Sequence, residues 1–432
     1  MKKVAFYTLG CKVNQYETDA MLDMFKKDGY EQVESEEFAD VYVINTCTVT
    51  HMSDRKSRQY IRRMKKKNPE SIIAVVGCYS QVSPEEILEI DEVNLVMGTN
   101  ERRQIVEEIK KLDATQKSST VDDIMKVRAF EEIEINQTNG RTRAFMKIQD
   151  GCDRFCSYCI IPYARGGKVR SRDLESIVTE ATKLADNGYK EIVLTGIHVA
   201  SYGKDVQDAS INLLTVIKAI DKIENIERIR LSSVEPILFT DEFIKEVSQM
   251  EKVCPHYHLS LQSGCNETLE RMNRRYTTDE FKHIVDKIRA NIKDVSITTD
   301  IIVGFPGETN DEFSKTYEYL KELELLHMHI FKYSPRKGTP AATMQNQIEA
   351  QMKQLRSDKL LELNRKNFNN IASKYIDCEM EVLFESVSQN GYEGLTNNYI
   401  RVAVQSDKDI QGEILKVKIT QIKDEYVEAV LV

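Results

Sequence analysis

No run of apolar residues approaches the ~18 that a membrane-spanning helix requires, so no such span is expected. The opening Met1-Lys2-Lys3-Val4-Ala5-Phe6 passes straight into an apolar strand pattern without a cleavage site, so no secretory leader is expected either. Nine cysteines in 432 residues are too few for a small disulfide scaffold, and most of them fall into motifs. That usage predicts reduced thiols holding metal in a cytoplasmic protein. Positive charge is not in surplus: 60 Lys+Arg against 69 Asp+Glu leaves a net −9. Indiscriminate coating of nucleic acid is excluded, and any RNA contact must come from local basic patches. The length predicts two to four domains, and a hydrophobic content of 41% is ample for their cores.

What the chain does contain is a tight trio, Cys152, Cys156 and Cys159, in the run Gly151-Cys152-Asp153-Arg154-Phe155-Cys156-Ser157-Tyr158-Cys159. Thiolates favour iron–sulfur clusters or zinc. Zinc knuckles usually pair CxxC with a second pair further on, whereas here there are three thiols and no neighbouring histidine. A four-iron cluster held by three thiolates keeps one iron open, and an open position is where a metal centre does chemistry.

Cys11, Cys47 and Cys78 form a second set. The patterns predict strands over Lys3–Leu9, Asp40–Ile44 and Ile72–Val76, each running out just before one of these cysteines. Helical patterns over Glu17–Asp28 and Ser53–Lys67 separate them, so the strands are expected to be parallel. Sites in open parallel sheets form outside the carboxyl ends, where three thiols would converge on one object.

The CxxxCxxC trio resembles the signature of radical S-adenosylmethionine (SAM) enzymes. Together with Thr8-Leu9-Gly10-Cys11-Lys12-Val13-Asn14, Asn45-Thr46-Cys47-Thr48-Val49-Thr50 and Val76-Gly77-Cys78, the chain resembles the radical SAM methylthiotransferase family over nearly its whole length. TLGCKVN is most similar to the branch acting on threonylcarbamoyl-adenosine in tRNA; the isopentenyl-adenosine and ribosomal-protein-aspartate branches are the alternatives. The resemblance implies two [4Fe-4S] clusters, one on Cys152, Cys156 and Cys159 and an auxiliary one on Cys11, Cys47 and Cys78. It implies SAM cleaved at the first, sulfur carried at the second, and methylthiolation of carbon 2 of an adenine in the tRNA anticodon loop. It further implies an electron donor such as flavodoxin or ferredoxin and a separate sulfur donor.

Three regions are expected, with boundaries at 1–112, a linker 113–139, 140–368 and 369–432. The first reads as a flavodoxin-like parallel sheet. In the second, β-like runs at Ala144–Gln149, Glu191–Thr195, Arg228–Ser232, Tyr257–Leu261, Ser296–Val303 and His327–Tyr333 alternate with helical stretches, predicting a partial (β/α)6 barrel. By the resemblance its strand ends cradle SAM, and Tyr158, Gly196, Ser232, Glu235, Gln262 and Gly304 are the candidate contacts. His198, His256 and His258 read more simply as packed or surface side chains, and Cys254, Cys265 and Cys378 as structural thiols.

Basic residues concentrate after Cys47 (Arg55, Lys56, Arg58, Arg62, Arg63) and after the CxxxCxxC trio (Arg165, Arg170, Arg172), both read as phosphate-contacting surfaces. Arg154 and Arg274 are possible additions. The tail, a helix-like stretch followed by short strands, resembles a TRAM domain, an OB-like RNA-binding barrel. Residues 369–432 nonetheless carry six Lys+Arg against eleven Asp+Glu, so RNA contact there would rest on placed residues such as Tyr399 and Arg401. Two readings of other classes stand beside the enzyme. One is a non-catalytic RNA-binding protein with zinc sites; the other is an iron–sulfur electron carrier, which would need no substrate chamber.

Overall fold

A computed structural model describes residues 1–49, 51–135 and 142–432; for His51 only the backbone is described. Thr50, the end of the connector (136–139) and the expected start of the second region at 140 lie outside the described residues.

The first sheet contains β1 (Lys3–Thr8), β2 (Glu31–Val33), β3 (Val41–Thr46), β4 (Ile72–Gly77), β5 (Leu95–Met97) and β6 (Ser118–Thr120), in the order β2-β1-β3-β4-β5-β6. Every pairing is parallel. Because both faces are covered, β3 is buried at every position and reads as a continuous apolar run. Helices α1 (Lys12–Lys27), α2 (His51–Lys67), α3 (Cys78–Val82), α4 (Pro84–Leu88) and α5 (Ile105–Lys110) complete the layers. Two expectations are corrected. α1 starts five residues before the predicted Glu17, directly after Cys11. The polar stretch read as a structureless connector contributes the edge strand β6, whose three residues are too few and too polar to show a period.

The second region curls six parallel strands into a partial barrel: β7 (Arg143–Asp150), β9 (Glu191–Gly196), β10 (Arg228–Leu231), β11 (His256–His258), β12 (Ser296–Val303) and β13 (His327–Lys332). β7, β9 and β10 form one parallel set and β11, β12 and β13 another. Isolated bridges, Ile229 to Val253 and Val234 to Leu259, carry the curl between them. β11 ends at His258, before the predicted Leu261, and beyond it the pairing continues only as isolated bridges at Leu259 and Gln262. A two-residue antiparallel strand, β8 (Arg170–Ser171), adds to the outside of β7 and had no sequence signal.

Helices α6 (Ile161–Arg165), α7 (Leu174–Asp186), α8 (Leu213–Asp221), α9 (Asp241–Val247), α10 (Asn266–Arg271), α11 (Thr278–Asn291) and α12 (Asn310–Leu323) alternate with these strands. Capping boxes fix the starts of α8, α11 and α12, for example Thr277 with Glu280. One apolar core of β7, β9, β12 and their helices lies outside the curl, leaving the lumen polar.

The long α13 (Ala350–Ala372) leads to a closed barrel of β14 (Glu379–Ser388), β15 (Gly391–Thr396), β16 (Arg401–Val404), β17 (Ile414–Ile422) and β18 (Val427–Leu431). β15 escaped prediction. The barrel docks on the amino ends of the central strands. Arg228 donates to the carbonyls of Leu395 and Glu381 at 3.1 and 3.0 Å, and Tyr399 stacks on His256 with ring centroids 4.0 Å apart. Tyr399 is thereby committed to packing, which corrects its reading as a base-stacking residue.

The first sheet and the partial barrel are joined at Glu17 of α1, which is fully buried. Its carboxylate meets Lys147 of β7 at 2.9 Å, Arg165 of α6 at 2.9 Å, and Arg102. Burial opposes ionisation, but Arg102, Arg165 and Lys147 outweigh it and hold the carboxyl well below the usual range. The stabilisation is therefore complete at neutral pH. It is lost as pH falls below the unfolded value of about 4.3 toward the folded one. Glu17→Gln removes the anion shared by three buried cations, leaving only Glu131 for Arg102 and Asp150 for Lys147 and Arg165, and should cost about 3–5 kcal/mol. Urea titration should show a lower midpoint at pH 7 and a shallower fall of that midpoint in acid than in the parent chain.

Candidate cluster and cofactor site

In the order β2-β1-β3 the strand sequence reverses between β1 and β3, and the crevice at such a point is where parallel sheets bind ligands. Cys11 lies just past β1 at the start of α1, Cys47 just past β3, and Cys78 is the first residue of α3 after β4. Glycine brings them together. Gly10 has φ +118°, and a Cβ there would stand 3.0 Å from the Cys47 Cβ. Gly77, at φ +97°, would meet Asn45 Oδ1 at 2.5 Å. Burial pushes the Cys78 thiol up to about 12, with Arg165 opposing and Cys47 and Cys11 adding to the rise. Burial also raises Cys47, with Cys11 adding.

The second trio occupies the loop between β7 and α6. Burial pushes Cys152 up to about 11 and Cys159 up to about 12, with Cys156 contributing to both. Phe155, inside the loop, is held at φ +46°, and Asn273 donates to its carbonyl at 3.0 Å. One arginine reaches a sulfur in each trio. Arg165 Nε lies 3.2 Å from Cys78 Sγ, and Arg274 Nη1 lies 3.4 Å from Cys156 Sγ.

These donor sets suit iron–sulfur clusters. Buried thiols ionise when a cation arrives to take the charge. Among the described residues, ligand atoms of His258, Asp300 and His329 all lie within 4.8 Å of one another.

Tyr158, Cys159, Gln262, Asp300 and Tyr333 line a cavity of about 300 Å³, together with Val49, two residues past Cys47. The CxxxCxxC loop and the segment that follows Cys47 thus border one space. Gln262 is held at φ +75°, and its backbone N–H donates to the Asp300 carbonyl at 2.9 Å. The Ser232 hydroxyl is buried without a partner among the described residues, as a group reserved for a ligand would be.

Glu235 meets His198 Nε2 at 3.0 Å, Arg154 at 2.8 Å and Arg274 at 3.4 Å. Burial opposes its ionisation, but His198, Arg274 and Arg154 bring it down to about 2. Glu235 therefore orients the arginine on Cys156. Gly196 packs against Gln149, where a Cβ would lie 2.9 Å from the carbonyl oxygen. Gly304 faces the Lys353 stem and donates its N–H to Glu308 at 3.1 Å. Packing therefore accounts for both glycines. Sequence reasoning missed Asp300 and the role of His198, since neither belongs to a motif.

The basic residues divide. Arg55, Lys56 and Arg62 on α2 are exposed. Arg58 is tied to Glu86 at 3.0 Å, and Arg63 pairs with Glu36. Arg165, Arg170 and Arg172 are corrected outright, because all three are buried. Arg165 serves Glu17, Arg170 lies 3.6 Å from Asp150, and Arg172 lies 2.8 Å from Glu180. A charge run shows its composition in sequence, not the acids folded against it. Arg154 in the CxxxCxxC loop and Arg274 between α10 and α11 both pair with Glu235.

Comparison with known proteins agrees with this geometry. The chain matches the radical SAM superfamily model over residues 146–320 and the model described as "Uncharacterized protein family UPF0004" over residues 3–98. In fold it is similar to the radical S-adenosylmethionine methyltransferase TsrM from Kitasatospora setae. The TM-score is 0.56 at 17% identity, covering 79% of this chain and 77% of that one. Fold and site define the class: a radical SAM protein, with SAM and iron–sulfur as its cofactors.

The chain is 44% identical over 426 residues to the threonylcarbamoyladenosine tRNA methylthiotransferase MtaB of Bacillus subtilis, covering 97% of this chain and 94% of that one. It is 36% identical over 425 residues to the tRNA-2-methylthio-N(6)-dimethylallyladenosine synthase of Clostridium tetani, covering 96% and 93%. The chain belongs to the MtaB family of methylthiotransferases. Among the described residues no helix is long and apolar enough to cross a membrane.

Hydrogen bonds to cluster sulfurs and nearby charge tune reduction potential. Arg274→Met removes the guanidinium from Cys156 and should move the midpoint potential of that cluster to more negative values in an EPR redox titration, with iron content retained. An unchanged potential would contradict the role given to Arg274.

Proposed function

We propose that this protein transfers a methylthio group to carbon 2 of N6-threonylcarbamoyladenosine at position 37 of tRNA, giving the 2-methylthio derivative. The observation that carries the reading is a cavity lined by Cys159 and by Val49 of the segment after Cys47, in a chain 44% identical to a threonylcarbamoyladenosine tRNA methylthiotransferase over nearly its full length. We assign residues 1–112 to an auxiliary-cluster domain, 113–139 to a linker, 140–368 to the radical SAM core and 369–432 to a TRAM domain.

Cys152, Cys156 and Cys159 would hold one [4Fe-4S] cluster, and Cys11, Cys47 and Cys78 the other. When bound, these clusters and SAM supply one-electron chemistry and a sulfur carrier for a carbon–hydrogen bond that ordinary bases leave untouched. The protein's own part is placement. Tyr158 and Gln262 form the cavity wall beside Cys159, Ser232 offers an unspent hydroxyl, and Glu235 with His198 fixes Arg274. Gly196 and Gly304 would keep the neighbouring backbone compact. A flavodoxin or ferredoxin would deliver electrons, and a separate donor would restore sulfur. The protein would act in the cytoplasm, where its tRNA substrate is found.

Exposed Arg55, Lys56 and Arg62 on α2, which begins four residues after Cys47, are placed to hold phosphates flanking the target base. Reversing Arg55 and Arg62 to Glu should weaken tRNA binding and lower the salt slope by about 0.7–0.9 for each phosphate no longer neutralised. An unchanged slope in a binding titration would move the RNA surface elsewhere.

The central test is mass spectrometry of tRNA nucleosides from cells with and without the gene. The 2-methylthio form of threonylcarbamoyladenosine should vanish in its absence. Complementation with Cys152→Ala should give no SAM cleavage and no product. Cys11→Ala should cleave SAM in vitro yet insert no sulfur. Product formation by both variants would refute the division of labour.

A further inference from the structure

Lys12 is the first residue of α1, next to Cys11, and is partly buried. Its ammonium lies within electrostatic reach of Arg143 on β7, Glu191 on β9, Arg230 on β10 and Cys11. It also reaches His329 on β13, at the opposite edge of the curled sheet. These neighbours belong to strands of both halves of the curled sheet, so the ammonium faces the lumen side. Among the described residues Lys12 has no hydrogen-bond or ion-pair partner. The acid within reach, Glu191, is already held by Arg230 at 2.7 Å and Arg143 at 3.6 Å. A secluded ammonium without an anion is costly, so the lumen at this point is built for a negatively charged occupant.

The facing wall is polar. Asp300 and His329 are direct cross-strand neighbours, and His258 Nε2 lies 3.2 Å from Asp300 Oδ2. The Thr298 hydroxyl fixes the His258 ring from its other nitrogen at 2.9 Å. Asp300 lines the cavity that holds Cys159, while its neighbour His329 lines a second cavity of about 350 Å³ with Arg143. This wall therefore runs from the cluster cavity into the lumen that Lys12 enters.

Resting on the substrate reading above, we propose that Lys12 receives the carboxylate of the threonylcarbamoyl group, and that Asp300, His258 and His329 receive its N–H and hydroxyl groups. The substituent carries one carboxylate, one hydroxyl and urea-type N–H donors. A dimethylallyl group carries only carbon and hydrogen and would leave the ammonium unanswered. Polar sites reject analogues that lack the matching group more sharply than apolar pockets reject polar ones. Lys12 thus acts as a specificity residue placed beside a cluster cysteine.

The test uses the anaerobically reconstituted full chain and three anticodon stem-loops. One carries threonylcarbamoyladenosine, one its carboxamide, in which the threonine carboxylate is amidated, and one unmodified adenosine. Dissociation constants and product formation are measured together with iron content. The parent chain should bind the acid at least tenfold more tightly than the amide. Lys12→Gln should bind acid and amide alike, and Lys12→Arg should keep a clear preference for the acid.

A parent chain that methylthiolates the acid yet binds acid and amide equally overturns the subsite and leaves the functional reading intact. So does a Lys12→Gln variant with full iron that still prefers the acid. A parent chain that leaves the threonylcarbamoyl substrate unmodified under active turnover overturns the functional reading itself. A divalent ion beyond the cluster iron, retained by the parent and lost from His329→Ala, would make His258, Asp300 and His329 a metal site and overturn their assignment to substrate.

Discussion

The buried carboxylate of Glu17 is the constraint on which the rest depends. It lies on the helix that Cys11 begins, and its partners come from both sides of the junction: Arg102 from the first region, Lys147 and Arg165 from the barrel. Arg165 also reaches Cys78 at 3.2 Å and stands at the end of the helix that follows the CxxxCxxC loop. One ionic cluster thus sets the position of one cysteine trio against the other. A buried ionic network is weak evidence for stability, because desolvation offsets much of the attraction. Its value here is geometric. The CxxxCxxC loop and the segment after Cys47, on separate sheets, meet at a cavity of about 300 Å³, and directional ion pairs specify that approach better than apolar contact would.

The acidic carboxy-terminal barrel fits the same logic. Its carbonyls accept from Arg228 and Arg230 at the amino ends of the central strands, and Glu385 pairs with Arg143. The negative charge that counted against RNA binding in the sequence is partly spent closing the bottom of the central lumen. The upper lumen is left to His258, Asp300, His329 and Lys12, and the rim near the clusters to the exposed arginines of α2.

Much of this is legible in the sequence alone. The six cysteines carry their chemistry in spacing, and the parallel architecture follows from alternation of apolar runs with helical periods. The (β/α) pattern predicted the limits of β12 to the residue. The failures share a cause. Arg165, Arg170 and Arg172 look solvent-seeking until Glu17, Asp150 and Glu180, distant in sequence, are folded against them. Tyr399 looks like a stacking platform until His256 covers it. β6, β8 and β15 escape because two to six residues, partly polar or at an edge, show no period. Gly196 and Gly304 also pack against Gln149 and Lys353, contacts that no local pattern shows. Local pattern reveals what a residue can do, and tertiary partners decide whether it is free to do it.

The account stands on two separate iron–sulfur clusters, one per cysteine trio, around a shared cavity. Iron and sulfide analysis with Mössbauer spectroscopy after anaerobic reconstitution tests this most directly. The parent chain should hold about eight irons as two four-iron clusters. Replacing Cys11, Cys47 and Cys78 together by Ala should leave about four, still altered spectroscopically by SAM. Replacing Cys152, Cys156 and Cys159 should leave about four that ignore SAM. A parent chain with about four irons, unchanged when the first trio is removed, would contradict the account.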